Sequence, residues 1–94
     1  MMLRTGTADM PKITIYTKSS CPYCHDAKVL LRAKNAVFEE ISVDGDYASQ
    51  VKMAQRAQGR SSVPQIFIGE AHVGGCDDLY ALDKAGKLDP LLAA

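Results

Sequence analysis

No stretch of this sequence is apolar for long enough to cross a bilayer, and neither sign of charge is in excess. Eleven Lys and Arg balance eleven Asp and Glu for a formal net charge of zero, with no basic run. That argues against nucleic acid or an anionic membrane surface as the main partner. The first ten residues, MMLRTGTADM, include an Arg but lack an apolar core and a clear cleavage site. They do not read as a secretory signal. Residues 1–10 are expected to be a flexible leader, with Met10-Pro11-Lys12 as an alternative start, and residues 11–94 to be one domain. Repeats and low-complexity linkers are missing too. Three cysteines make an odd count for a disulfide-stapled secreted domain, and 47% apolar residues provide a core without staples. A reducing, cytoplasmic setting follows, in which a close cysteine pair means chemistry or metal.

The pair is Cys21-Pro22-Tyr23-Cys24, after Lys18-Ser19-Ser20 and before His25. An alternating run at 12–17, with Ile13, Ile15 and Thr17 on one side, predicts a strand ahead of it. Ala27, Leu30, Leu31 and Lys34 recur at helical spacing behind it, and Asn35 suits a left-handed end near residue 36. The pair therefore falls on a strand-to-helix joint. The first N–H groups of a helix have no intrahelical partner, and the helix dipole adds partial positive charge there. A thiolate is favoured at that end, and the thiolate is the species that attacks sulfur. Pro22 fits the first turn, where its missing N–H costs nothing. Cys21 is read as the exposed attacker at the N-cap, and Cys24, one turn inward, as the resolver.

Downstream, residues 37–43 predict a second strand closed by the turn Asp44-Gly45-Asp46. Residues 47–57 predict a short amphipathic helix facing inward with Tyr47, Val51 and Ala54 and stopped by Gly59. Residues 63–68 and 71–73 predict a hairpin turning at Gly69-Glu70. Gly74-Gly75 breaks it, a helix follows over 77–85 with acidic residues in its first turn, and Asp89-Pro90 starts a last short helix. The order is β-α-β-α-β-β-α. Its first half should be a right-handed parallel βαβ unit and its second an antiparallel hairpin with a helix. A CxxC after the first strand of such an α/β pattern reads as thioredoxin-like, a four-stranded mixed sheet flanked by helices.

Three motifs in this order, Cys21-Pro-Tyr-Cys24, Ser62-Val-Pro-Gln-Ile-Phe-Ile68 and Gly74-Gly-Cys-Asp-Asp78, resemble those of the dithiol glutaredoxins, of the bacterial glutaredoxin 3 type. The resemblance covers about residues 12–92. It implies a glutathione-dependent thiol–disulfide oxidoreductase with Cys21 as nucleophile and Cys24 as resolver. Glutathione would be a co-substrate, with no tightly bound cofactor. By the same resemblance Lys18 meets the glycine carboxylate of glutathione, with Gln50 or Arg56 as candidates for a further contact. Tyr23 covers one side of the groove. Val63, turned by a cis Pro64 and preceded by Ser62, pairs its backbone with the cysteinyl part. Gly75 allows close approach, the N–H groups of Cys76 and Asp77 take the γ-glutamyl carboxylate, and Asp77 takes its ammonium. Cys76 is a third thiol near the site and an oxidation or dimerisation liability. The implied partners are glutathionylated and disulfide-containing proteins, ribonucleotide reductase among them, met by a monomer.

Two other classes compete. Cys21, Cys24, His72 and Cys76 could be counted as a zinc set, since CxxC is a common half-site. Against that, a tight zinc turn favours flexible residues over Pro-Tyr at a helix start. An iron–sulfur cluster bridged through Cys21 and glutathione is disfavoured by Pro22. A redox-inactive binding module is disfavoured by the presence of both cysteines.

Overall fold

A computed structural model describes residues 11–93. The expected leader, residues 1–10, lies outside them. Eight elements follow one another: β1 (Ile13–Thr17), α1 (Pro22–Ala33), β2 (Glu39–Ser42), α2 (Tyr47–Arg56), β3 (Gln65–Ile68), β4 (Ala71–Gly74), α3 (Cys76–Lys84) and α4 (Leu88–Ala93). The strands form one sheet in the order β2-β1-β3-β4. β1 pairs with β2 in parallel, and β3 is antiparallel to both β1 and β4. This is the mixed sheet that the β-α-β-α-β-β-α pattern implies, with α4 appended.

The two faces of the sheet carry separate cores. Ile13 and Ile15 of β1 and Ile66 and Ile68 of β3 point to one side. There they pack with Ala27, Leu30 and Leu31 of α1, Leu79 of α3, and Leu88 and Leu92 of α4. Tyr16 and Phe67 point to the other side and meet Val43 together with Met53 and Ala57 from the α2 side. All five β1 residues are buried, because the strand is central and covered on both faces. Beyond the side that carries Ile13, Ile15 and Thr17, Thr14 and Tyr16 on the other side are buried too.

Local signals set most element ends. Asn35 has φ 57°, ending α1 in the left-handed turn expected of it. Asp46 caps α2, accepting the Ser49 N–H at 3.0 Å and the Ser49 hydroxyl at 2.8 Å. Gln58 and Gly59 both take positive φ, and the Gly59 N–H closes on the Ala54 carbonyl at 2.8 Å. β3 begins at Gln65 rather than 63, since Pro64 has no N–H to give the ladder. β2 is shorter than predicted, and Val37 ahead of it is exposed.

The inward face of α2 differs from the sequence expectation. Tyr47 is 79% exposed and Val51 is on the surface, whereas Met53 and Ala57 are fully buried. Both choices of apolar stripe fit a helical repeat. Arg56 decides between them: its guanidinium carbon lies 4.1 Å from the Phe67 ring centroid, and Nη1 donates to the Tyr16 hydroxyl at 3.0 Å. Stacking on the ring turns the neighbouring Met53 side of the helix onto the sheet.

Candidate active site

The register of β1 and β3 creates the site. Tyr16 at the end of β1 lies opposite Gln65 at the start of β3. The loop leaving β1 and the loop entering β3 must therefore run side by side. The first carries Lys18–Cys21 and the second carries Ser62–Pro64.

Cys21 is the N-cap of α1, with Pro22 in the first helical position as expected. Its Sγ accepts the Cys24 N–H at 3.1 Å, so a thiol sulfur fills the role usually taken by a capping oxygen. Across the gap, the Cys21 thiol donates to the Val63 carbonyl at 3.7 Å, and the Val63–Pro64 peptide bond is cis. Cys21 is partly exposed, while Cys24 is only 2% exposed. Burial, followed by the hydrogen bond from Cys21, pushes the Cys24 thiol up to about 12. One cysteine is thus reachable and the other is held protonated beneath it.

Beside Cys21 opens a groove of about 300 Å³. Tyr23, Val63 and Pro64 line one part of it, and Gly75, Cys76 and Asp77 line another. Six residues expected to hold glutathione are thereby brought together. Tyr23, 62% exposed, stands at the rim. Gly75 is the N-cap of α3, whose first turn holds Asp77 and Asp78, so the free N–H groups of this helix open towards the groove. Tyr80 of α3 donates its hydroxyl to the Asp26 carbonyl of α1 at 2.9 Å, tying the two helices together.

Two of the expected residues stand apart. Lys18 lines a neighbouring depression together with Gln50 and Asp44, though its carbonyl accepts the Cys21 N–H at 3.2 Å. Ser62 is exposed and engaged by its own chain: its carbonyl and hydroxyl accept the Gln65 side-chain amide at 3.1 and 3.4 Å. Arg56 is taken up by Phe67 and Tyr16. Cys76 is 8% exposed, its thiol pushed up by burial and by the nearby charges of Asp26 and Asp77.

Arg60 and Asp78 were given no role in the sequence, yet both line the groove. Asp78 accepts the Gly75 N–H at 2.9 Å and pairs with Arg60 at 3.4 Å. An acid three residues after the Gly75 N-cap, placed to accept the Gly75 N–H, is the readable signal for Asp78. Arg60 had none, since its position depends on where the loop from α2 to β3 runs.

The zinc set does not assemble. His72 sits on β4 with Nε2 2.7 Å from the Gln65 side-chain oxygen and its ring stacked on Phe67 at 4.9 Å. Among the described residues no three of His, Cys, Asp and Glu gather as metal ligands.

The glutaredoxin family model matches residues 13–73, more than half of the chain. The chain belongs to the glutaredoxin family. It is 57% identical over 83 residues to glutaredoxin 3 of Escherichia coli K12, covering 88% of this chain and 99% of that one. The solution structure of Brucella melitensis glutaredoxin superposes with a TM-score of 0.81 at 51% identity, covering 94% of this chain and 95% of that one. The crystal structure of a buckwheat glutaredoxin–glutathione complex superposes with a TM-score of 0.79 at 33% identity, covering 87% and 76%. Glutaredoxins are thiol–disulfide oxidoreductases that use glutathione as co-substrate, and this chain is a glutathione-dependent oxidoreductase of that kind with the thioredoxin fold.

Proposed function

We propose that this glutaredoxin reduces protein–glutathione mixed disulfides with Cys21 alone and protein disulfides with Cys21 and Cys24 together. The observation that carries the reading is Cys21 Sγ at the start of α1, 3.1 Å from the Cys24 N–H and 3.7 Å from the Val63 carbonyl, at the edge of the groove. In the first route the Cys21 thiolate attacks the glutathione sulfur. The protein thiol leaves with a proton, and Cys21 carries glutathione as a mixed disulfide. A second glutathione thiolate attacks that disulfide, releasing oxidised glutathione and restoring Cys21. In the second route the Cys21 thiolate attacks one sulfur of a substrate disulfide, and the other sulfur leaves as a thiol, so that Cys21 carries the substrate as a mixed disulfide. Cys24 attacks Cys21 Sγ, the substrate thiol leaves, and the Cys21–Cys24 disulfide is reduced by two glutathiones.

Glutathione lies along the groove. The Val63 backbone meets its cysteinyl part, and the α3 N-terminus with Asp77 meets its γ-glutamyl end. Lys18 reaches its glycine carboxylate from the adjoining depression. Tyr23 closes the outer side. The protein works as a monomer in the cytoplasm, and its partners are glutathionylated proteins and disulfide enzymes of the ribonucleotide reductase kind. Three free cysteines suit that reducing setting.

The test is glutathione-dependent reduction of a small mixed disulfide and of a protein disulfide by wild type, Cys24→Ser and Cys21→Ser. Cys24→Ser should keep the first activity and lose the second, and Cys21→Ser should lose both. Equal rates for the three proteins would end the proposal. Proteins trapped on Cys21 of Cys24→Ser would identify the partners.

A further inference from the structure

A chain of partly buried hydrogen bonds, centred on the buried Gln65, runs from the edge strand β4 to the loop that faces Cys21, and no step of the proposed reaction uses it. Gln65, the first residue of β3, is fully buried. Its side-chain amide donates to the Ser62 carbonyl at 3.1 Å and to the Ser62 hydroxyl at 3.4 Å. Its side-chain oxygen lies 2.7 Å from Nε2 of His72.

The polarity of this chain is fixed by what each group can do. A carbonyl only accepts, so the Gln65 NH₂ must face Ser62 and its oxygen must face His72. That oxygen also only accepts, so His72 Nε2 must carry the hydrogen. Any titration of the ring then occurs at Nδ1 and leaves this bond in place. Burial and the cations Arg60 and Arg56 hold the ring towards its neutral form, against the opposing pull of Asp78. His72 is also stacked on Phe67, with the ring planes 24° apart.

We infer that His72 is a positioning residue for the glutathione-receiving loop. It donates Nε2–H to Gln65, which in turn holds Ser62 so that the Val63 backbone faces Cys21. Ser62 is itself on the surface, so the loop would otherwise have water to bond to and several conformations to choose from. The Gln65 amide replaces that water from beneath. His72 in turn stops the amide from rotating, because a flipped Gln65 would set its NH₂ against the Nε2–H of His72 and lose the bond that His72 donates. A loop held in this way spends less binding energy on ordering when a ligand docks. Loss of the hold should therefore appear in the affinity for the glutathione moiety and leave sulfur reactivity alone.

This inference rests on the proposed glutathione groove, and two variants test it with readouts that separate the two ideas. His72→Phe keeps the stack on Phe67 and removes the donor. His72→Gln returns an N–H donor near the position of Nε2. For a glutathionylated peptide, His72→Phe should raise KM about threefold to tenfold, the worth of one hydrogen bond, with kcat and the alkylation rate of Cys21 unchanged. His72→Gln should bring KM back to within about twofold of wild type. In the reduced protein without any ligand, the Gln65 side-chain amide should exchange with solvent faster in His72→Phe and return to slow exchange in His72→Gln. If wild type turned over no glutathionylated peptide, the proposed function would fall, and the Gln65 exchange rates would still judge the hydrogen-bond chain. An unchanged KM and unchanged Gln65 exchange in His72→Phe would overturn the inference. So would a His72→Gln protein as impaired as His72→Phe.

Discussion

The closure of a disulfide between Cys21 and Cys24 should be governed by the proton on Cys24. In the reduced protein that thiol is pushed up to about 12, first by burial and then by its hydrogen bond with Cys21. A thiol with that value is ionised to about one part in 10⁵ at pH 7, about a thousandfold less than an ordinary one near 9. When Cys21 carries glutathione its hydrogen bond to Cys24 is lost, but the larger cause, burial, remains. The thiolate needed for closure stays scarce throughout the neutral range. The assay begins with protein loaded as the Cys21–glutathione mixed disulfide and freed of excess glutathione. Release of glutathione is followed from pH 6 to pH 9 by rapid acid quench and mass spectrometry. The rate should climb close to tenfold per pH unit over the whole window without reaching a plateau, and Cys24→Ser should release nothing. Because Cys21 has already reacted, its own proton does not enter. A rate independent of pH, or one that levels off below pH 8, would show that burial does not hold the proton on Cys24.

Three further perturbations test the frame around the site. Met53→Ala should cost about 2–4 kcal/mol in urea unfolding, as for a fully buried side chain, whereas Tyr47→Ala should stay within about 0.5 kcal/mol; the reverse order would restore the face of α2 expected from the sequence. Gly74 has φ 112°, and a Cβ there would come within 2.8 Å of the Asp78 carboxyl carbon and 3.0 Å of Arg60. Gly74→Ala should therefore lower stability by about 1–3 kcal/mol and raise KM, and an unaltered protein would refute the crowding. Glu40 is held below its ordinary value of 4.5, first by the Thr17 hydroxyl at 2.7 Å and then by Lys28 at 2.9 Å. A lowered carboxylate stabilises the fold above its unfolded pKa and loses that contribution as pH falls through the folded one. The urea midpoint of Glu40→Gln should thus be lower than wild type at pH 7, and the gap should close as pH falls below the ordinary value of 4.5. Parallel curves would disprove the link.

The parts of the site that were legible in the sequence are those built by local chemistry. The start of α1 could be read because Pro22 and the helix formers behind it act within one turn. Cys21 accordingly caps that helix in the structure. Gly74-Gly75 and the acids after it announced the start of α3 in the same way, and the helix begins at Cys76, one residue early. What was not legible depends on partners distant in the chain. The choice between Tyr47-Val51-Ala54 and Met53-Ala57 for the inner face of α2 turned on Arg56 finding Phe67, a contact between an α2 residue and a strand that sequence spacing cannot locate. The engagement of Ser62 by Gln65 likewise depends on Gln65 being fixed by His72, which requires the pairing of β3 with β4.

The same reasoning explains why Arg60 escaped notice while Asp77 did not. Asp77 belongs to a helix start, and a helix start brings its N–H groups and its dipole wherever it is placed. Arg60 belongs to a loop, and it reaches the groove only because β3 lies beside β1 and delivers the preceding residues to the mouth of α3. Its pairing with Asp78 then closes the circuit: Asp78 holds the Gly75 N–H, and Arg60 holds Asp78. Both side chains are about half exposed, so the pair adds little to stability. Its value lies in keeping the Asp78 carboxylate on the Gly75 N–H at the lip of the groove. The cationic loop before Val63 and the helix start after Gly74 are thus one unit, joined only when the hairpin folds.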